Sequence, residues 1–198
     1  MEPFLAALLG FALGSIPFGL ILTRAAGLGD VRNIGSGSIG ATNVLRTGNK
    51  GLAAATVLLD AAKAAVPVLV AQAIWPGSAE VVGAIAAVAA VAGHCFTPWL
   101  AFKGGKGFAS AAGALLALAW PAMLACAAIW AAVLFVSRIS SVSSMVTVVA
   151  APAVAWGLGY GQAIAPLIAI AAIVLVQHRA NIGRLMRGEE PKIGSGKP

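Results

Sequence analysis

Apolar runs separated by short polar loops set the pattern of this chain. The runs cover residues 4–22, 51–74, 81–96, 108–136 and 142–176. A hydrocarbon core of about 30 Å needs about 20 helical residues to cross it, so the first two runs predict one membrane helix each. The Ala-rich run 81–96 predicts a third. Residues 108–136 are long for one span and short for two, with Trp120-Pro121 at the middle, and 142–176 carries Gly157-Leu158-Gly159-Tyr160-Gly161 at its own midpoint.

Charge decides how these two long runs divide. Four cations lie between Arg24 and Lys50, two in the Lys103 loop, one at Arg138 and five in the tail after Gln177, while the alternate loops hold none. Loops rich in Lys and Arg stay cytoplasmic, so an even number of crossings must separate them and each long run splits in two, near Pro121 and near Gly159. The expectation is an all-α polytopic membrane protein of seven transmembrane helices. Its N-terminus is then outside and its C-terminus cytoplasmic, with residues 1–198 forming one integral-membrane domain.

Composition agrees: 60% of the 198 residues are hydrophobic and 10% charged, outside the range of soluble domains. The net charge of +7 sits in loops between apolar runs, which favours an anionic membrane face or anionic substrates over nucleic acid. Cys95 and Cys126 lie in apolar surroundings and read as buried free thiols. The first run lacks a basic leader and an A-x-A-like processing pattern, so it reads as a retained span and not as a signal peptide.

Three polar segments carry candidate chemistry. The first runs Asn33-Ile34-Gly35-Ser36-Gly37-Ser38-Ile39-Gly40-Ala41-Thr42-Asn43-Val44-Leu45-Arg46. Glycines among small hydroxyl residues let amides and side-chain donors converge on an anion, and Arg46 can add a bidentate grip on phosphate. A plain surface turn is the alternative, and repetition of the chemistry elsewhere argues against it. In the second segment, Phe102-Lys103-Gly104-Gly105-Lys106-Gly107, two lysines bracket glycines without the order of a Walker loop. Snorkelling interface lysines are the alternative there. The third is His178-Arg179-Ala180-Asn181-Ile182, where a continuing helix would set His178, Asn181 and Arg184 or Leu185 on one face; Arg179, Arg184 and Arg187 also fit a cationic interface belt.

Two features inside the spans call for partners. Asp60 and Lys63 share a helix face within an apolar run, as an ion pair or a cavity wall. Gly14-Ser15-Ile16-Pro17 predicts a kink or a close helix contact, the contact being favoured.

The acidic residues are Glu2, Asp30, Asp60, Glu80, Glu189 and Glu190. None of these is spaced to hold a divalent cation, no His/Cys set fits zinc, and a covalent triad is hard to assemble, so neither metal nor cofactor is expected. A donor that is already activated removes the need for them. An acyl phosphate asks the protein only to position an alcohol, cradle two phosphates and stabilise an oxyanion.

Gly14-Ser15-Ile16-Pro17, the Gly35 to Arg46 block, Gly93-His94 through Phe102 to Gly107, and His178 to Ile182 together resemble the PlsY family of bacterial membrane acyl-phosphate:glycerol-3-phosphate acyltransferases. The resemblance runs from about Gly14 to Lys192. It implies seven spans in the bacterial inner membrane, an active site facing the cytoplasm, and 1-acyl-glycerol-3-phosphate as product, the first step of phospholipid synthesis. Carried over by position, Gly35, Ser36, Gly37, Ser38, Gly40, Thr42 and Asn43, with Gly104, Gly105 and Ser143, would hold acyl phosphate. Arg46, Lys106, His178 and Asn181 would hold glycerol 3-phosphate, and Ser36, Lys106, His178 and Asn181 would form the catalytic set. Ser38 stands where the family usually has Asn. The base stays open between His178 and the donor's own phosphate. Membrane lipid and the enzyme that makes acyl phosphate are the other implied partners. The rival reading is a small transporter of a phosphate-bearing solute, against which no inverted repeat is visible and the donors gather at one face.

Overall fold

The computed structural model describes residues 1–193, so Lys197, counted above among the tail cations, lies outside the described residues. Among these the chain forms helices joined by turns, with no strand. The first apolar run is two helices, α1 (Glu2–Gly14) and α2 (Phe18–Ala25). Pro17 has no amide to continue the ladder, and the carbonyls released at the break are taken from elsewhere in the chain: Lys63 Nζ donates to Ile16 O at 2.7 Å and Thr97 Oγ1 to Ser15 O at 2.6 Å. In an apolar setting such partners are what makes a broken helix tolerable. The kink and the close contact expected as alternatives both occur. A Cβ on Gly10 or Gly14 would stand 2.4 or 2.1 Å from the carbonyl oxygens of Ala86 or Ala90, so α1 lies backbone to backbone on its neighbour by the small-residue packing usual in membranes.

The polar loop leads into the single turn α3 (Ala41–Val44) and then α4 (Lys50–Ile74), whose start is capped by Asn49 Oδ1 accepting from the Leu52 amide at 3.0 Å. Next come α5 (Ala79–Cys95), α6 (Phe108–Leu118), α7 (Trp120–Ser137), α8 (Ser140–Gly157), α9 (Ile164–Gln177) and α10 (Arg179–Met186). The two long runs do divide, but the first divides unevenly. The break falls at Ala119, leaving α6 with 11 residues and α7 with 18. Pro121 sits in the first turn of α7, where its missing amide costs nothing.

Five segments are long and apolar enough to cross a membrane: Glu2–Ala25, Lys50–Ile74, Pro76–Leu100, Trp120–Ser137 and Ser140–Gly157. A sixth results if Gly161–Gln177 and Arg179–Met186, bent by 59°, are taken as one. The expected seventh depends on α6, which at about 1.5 Å per residue is too short to cross a full bilayer unaided. The core is built largely of alanine and valine, including Ala64, Val68, Ala86, Ala90 and Val91, while Phe135 and Val136 of α7 point outward. Cys95 and Cys126 are buried and free.

Candidate active site

The first polar loop is shaped from within. Asp30 opens it, accepting from the Arg32 amide and from the side chains of Arg32 and Arg24. The Arg32 hydrogen bonds outweigh the cost of burial and hold the Asp30 carboxyl well below the usual carboxylate range. At its centre is Asn43, fully buried. Its Nδ2 donates to the carbonyls of Val31 (2.7 Å), Ile34 (3.1 Å) and Ser38 (2.8 Å), and its Oδ1 accepts from the Ser36 amide at 3.1 Å. Asn43 was expected to address the donor; its amide is instead committed to the loop.

Around that knot the expected donors face outward. Ser36 and Thr42 are exposed, and neither hydroxyl has a partner among the described residues. Gly35 adopts φ 53° and lies under Arg46, where a Cβ would stand 2.2 Å from Nη1; only glycine combines that conformation with that approach. Gly37 N–H is committed to Ile34 O and Gly40 N–H to Ser38 Oγ. Arg46 is exposed and makes no hydrogen bond among the described residues.

The second loop is fastened to α5. Gly104 N–H donates to Cys95 O at 3.0 Å and Gly105 N–H to His94 O at 3.1 Å. The amides expected to grip a phosphate are therefore spent, because the end of α5 leaves carbonyls that need donors. What this loop offers to a ligand is the side chain of Lys106. Burial lowers the Lys106 pKa below that of an ordinary lysine; Glu190 opposes the shift, and Arg184 and Arg46 add to it. Lys106 thus lies within electrostatic reach of Arg46, Arg184 and Glu190.

The third segment completes the cluster. His178 is buried at the bend between α9 and α10, with Nδ1 2.8 Å from Val174 O. A neutral ring bonded in this way carries its proton on Nδ1 and leaves Nε2 as an acceptor. Three residues on, Asn181 is buried and its Nδ2 donates to Glu190 Oε1, which orients the amide so that Oδ1 is left without a partner. His178 lies within electrostatic reach of both Lys106 and Glu190.

Glu190 was not expected at this site. Its carboxylate also accepts from Ser141 Oγ at 2.6 Å and Arg184 Nε at 2.7 Å. Burial opposes its charge, and the bonds from Ser141, Asn181 and Arg184 prevail, so the carboxyl titrates below the ordinary range. Ser143, expected to touch the donor, is wholly buried and donates to Ile139 O at 3.1 Å; Ser141 is the serine of α8 that reaches the cluster. Arg184, read as one of an interface belt, pairs with Glu190.

A family model described as glycerol-3-phosphate acyltransferase matches residues 4–188 of the chain. The glycerol-3-phosphate acyltransferase of Erythrobacter litoralis is 56% identical over 195 residues, which cover 98% of this chain and 97% of that protein. The relative of the same name from Mesorhizobium japonicum is 52% identical over 191 residues, 96% of each. The crystal structure of PlsY (YgiH), described as an integral membrane glycerol 3-phosphate acyltransferase, superposes in its glycerol 3-phosphate form with a TM-score of 0.90 at 31% identity, over 98% of this chain and 97% of that one. Its lysophosphatidic acid form gives 0.89 at 30% identity, over the same shares.

Proposed function

The chain belongs to the glycerol-3-phosphate acyltransferase family, and from that premise we propose that this acyltransferase moves a fatty acyl group from acyl phosphate to the 1-hydroxyl of glycerol 3-phosphate. The products are 1-acyl-glycerol-3-phosphate and inorganic phosphate. The observation that carries this reading is the juxtaposition of a cationic cluster (Arg46, Lys106, Arg184) with two acceptors, His178 Nε2 and Asn181 Oδ1. A phosphate-bearing alcohol needs both: charge for its phosphate and an acceptor for its hydroxyl proton.

In this mechanism Arg46 and Lys106 hold the phosphate of glycerol 3-phosphate, with Arg46 giving a planar fork and Lys106 a point charge. Asn181 Oδ1 accepts from the 2-hydroxyl and so aims the oxygen of the 1-hydroxyl at the acyl carbonyl carbon. That oxygen forms the new ester bond as the bond from the carbonyl carbon to the phosphate oxygen breaks, and the phosphate leaves with the electron pair. The hydroxyl proton goes to His178 Nε2 or to the departing phosphate. Ser36 and Thr42, with the amides of Gly35 and Ser38, cradle the donor, while Gly37, Gly40, Asn43, Gly104 and Gly105 keep the two loops in shape. Preorganised donors of this kind lower the barrier because they need not reorient as charge develops.

The membrane arrangement follows the distribution of cations. Seven crossings, with α6 as a short one in a thinned or recessed region, put every basic loop on the cytoplasmic side of the bacterial inner membrane. Acyl chains then reach the site laterally from the bilayer, and the enzyme that makes acyl phosphate is the natural neighbour. Purified protein in detergent micelles, given acyl phosphate and glycerol 3-phosphate, should release lysophosphatidic acid. A transporter has no sealed compartment there and would form none.

A further inference from the structure

The interior holds charged groups that the mechanism above does not use. Asp60 and Lys63, one turn apart on α4, are each 2% exposed at the side chain and pair at 2.7 Å. His94, at the end of α5, stands with Nδ1 3.6 Å from the same Asp60 oxygen and is likewise buried. A buried ion pair contributes little net stability beyond that of an apolar pair of similar volume. What it supplies is direction, so the groups it touches are informative.

On one side, Lys63 Nζ donates to Ile16 O in the break between α1 and α2 and lies 5.8 Å from the Phe18 ring centroid, the first residue of α2. α2 in turn supports the first polar loop: a Cβ on Gly19 would stand 1.9 Å from Ile39 O. On the other side, the His94 ring lies against the second loop, and a Cβ on Gly105 would stand 2.0 Å from His94 Nε2. Gly105 also donates its amide to the His94 carbonyl. The carbonyl of Asp60 accepts from Ser110 Oγ at 3.0 Å, tying in the first turn of α6 beyond the loop. One cluster thus touches the supports of both loops.

We propose that Asp60, Lys63 and His94 form a buried brace that sets the two polar loops at a fixed separation, with His94 as the positioning residue for Lys106. The brace rests on the reading of the reaction given above. Its function is to keep the donor cradle on the first loop and the ammonium of the second one substrate length apart, so that carbonyl and hydroxyl meet. None of the three groups touches substrate.

The test compares Asp60→Asn, Lys63→Met, the double variant and His94→Gln for thermal stability in detergent and for the KM of each substrate. Each single variant at the pair strands a charge and should lose both stability and activity. The double variant strands none and should recover a Tm within about 3 °C of wild type, yet still show a KM for glycerol 3-phosphate raised about tenfold or more. His94→Gln should raise that KM by a similar factor and leave the KM for acyl phosphate unchanged. Recovery of wild-type kinetics along with Tm in the double variant, or a His94→Gln protein altered only in Tm, would reduce the cluster to a structural pair and overturn the brace. An inactive wild-type protein would instead refute the reading of the reaction; the brace is then read from binding of inorganic phosphate, which His94→Gln should weaken and which an unchanged affinity would contradict.

Discussion

The two glycine loops look alike in sequence and are built in opposite ways. The loop from Asn33 to Arg46 is organised by one of its own side chains: Asn43 gathers three carbonyls and an amide, and Ser36, Thr42 and Arg46 face outward from that knot. The Phe102 to Gly107 loop has no such side chain and is fastened by backbone to α5, with Gly104 and Gly105 spent on Cys95 and His94. In the first loop Gly35 and Gly37, at φ 53° and 67°, make the turns from which the side-chain donors face outward; in the second, Gly104 and Gly105 permit close approach to α5. A glycine-rich loop beside lysine is therefore not by itself a phosphate nest; what matters is where its amides go.

Breaking each loop at its own anchor should show the difference. Asn43→Ala takes the partner from three carbonyls and one amide, the Val31 carbonyl being in the interior, and an unsatisfied buried polar group costs about 1–3 kcal/mol. We expect this variant to lose nearly all activity together with several degrees of Tm, and Asn43→Asp, which keeps only the acceptor, to rescue it poorly. Gly105→Ala drives a methyl into the His94 ring, an overpacking cost of about 1–3 kcal/mol. It should weaken glycerol 3-phosphate use more than acyl phosphate use, because the residue displaced is Lys106. Separate KM values for the two substrates in the two variants decide whether the loops divide the substrates in this way.

Arg46→Lys sharpens the comparison at the exposed end of the first loop. Charge is kept but the fork is lost, and a hydrogen bond to a charged group is worth about 1.5–3 kcal/mol. The kcat/KM for glycerol 3-phosphate should fall about tenfold to a hundredfold; wild-type kinetics would remove Arg46 from the site.

The smallest effect concerns the sole cation of the second loop that lies within the cluster. Burial lowers the pKa of Lys106, so its charge is lost as pH rises, at a lower pH than for an exposed lysine. The kcat/KM for glycerol 3-phosphate should show an alkaline limb that Lys106→Arg moves upward, since guanidinium stays charged. An unmoved limb would assign that titration to another group.

Much of the fold was legible because the rules for crossing a bilayer are coarse. Apolar length and cation placement located the helices, the division of both long runs and the pairing of Asp60 with Lys63. The unequal division at Ala119 was not, because Pro121 can sit in the first turn of a helix as readily as at its end. For the candidate site, His178, Asn181, Lys106 and Arg46 could be nominated from residue type and order. Glu190 could not: its partner Ser141 lies 49 residues away in sequence, and a carboxylate next to Glu189 in a basic tail has no local pattern to mark it. The fate of the Gly104 and Gly105 amides was hidden for the same reason, since it depends on the end of α5 folding back against them.

The central claim is that acyl transfer is direct, from donor to acceptor across two preorganised loops, with no acyl-enzyme between. Enzyme mixed with labelled acyl phosphate in the absence of glycerol 3-phosphate and quenched in acid should carry no label on the protein, while addition of the acceptor before the quench should move the label into lysophosphatidic acid. A stable acyl adduct on Ser36, Lys106 or either cysteine, formed and discharged at the rate of turnover, would contradict the account and require a two-step reaction.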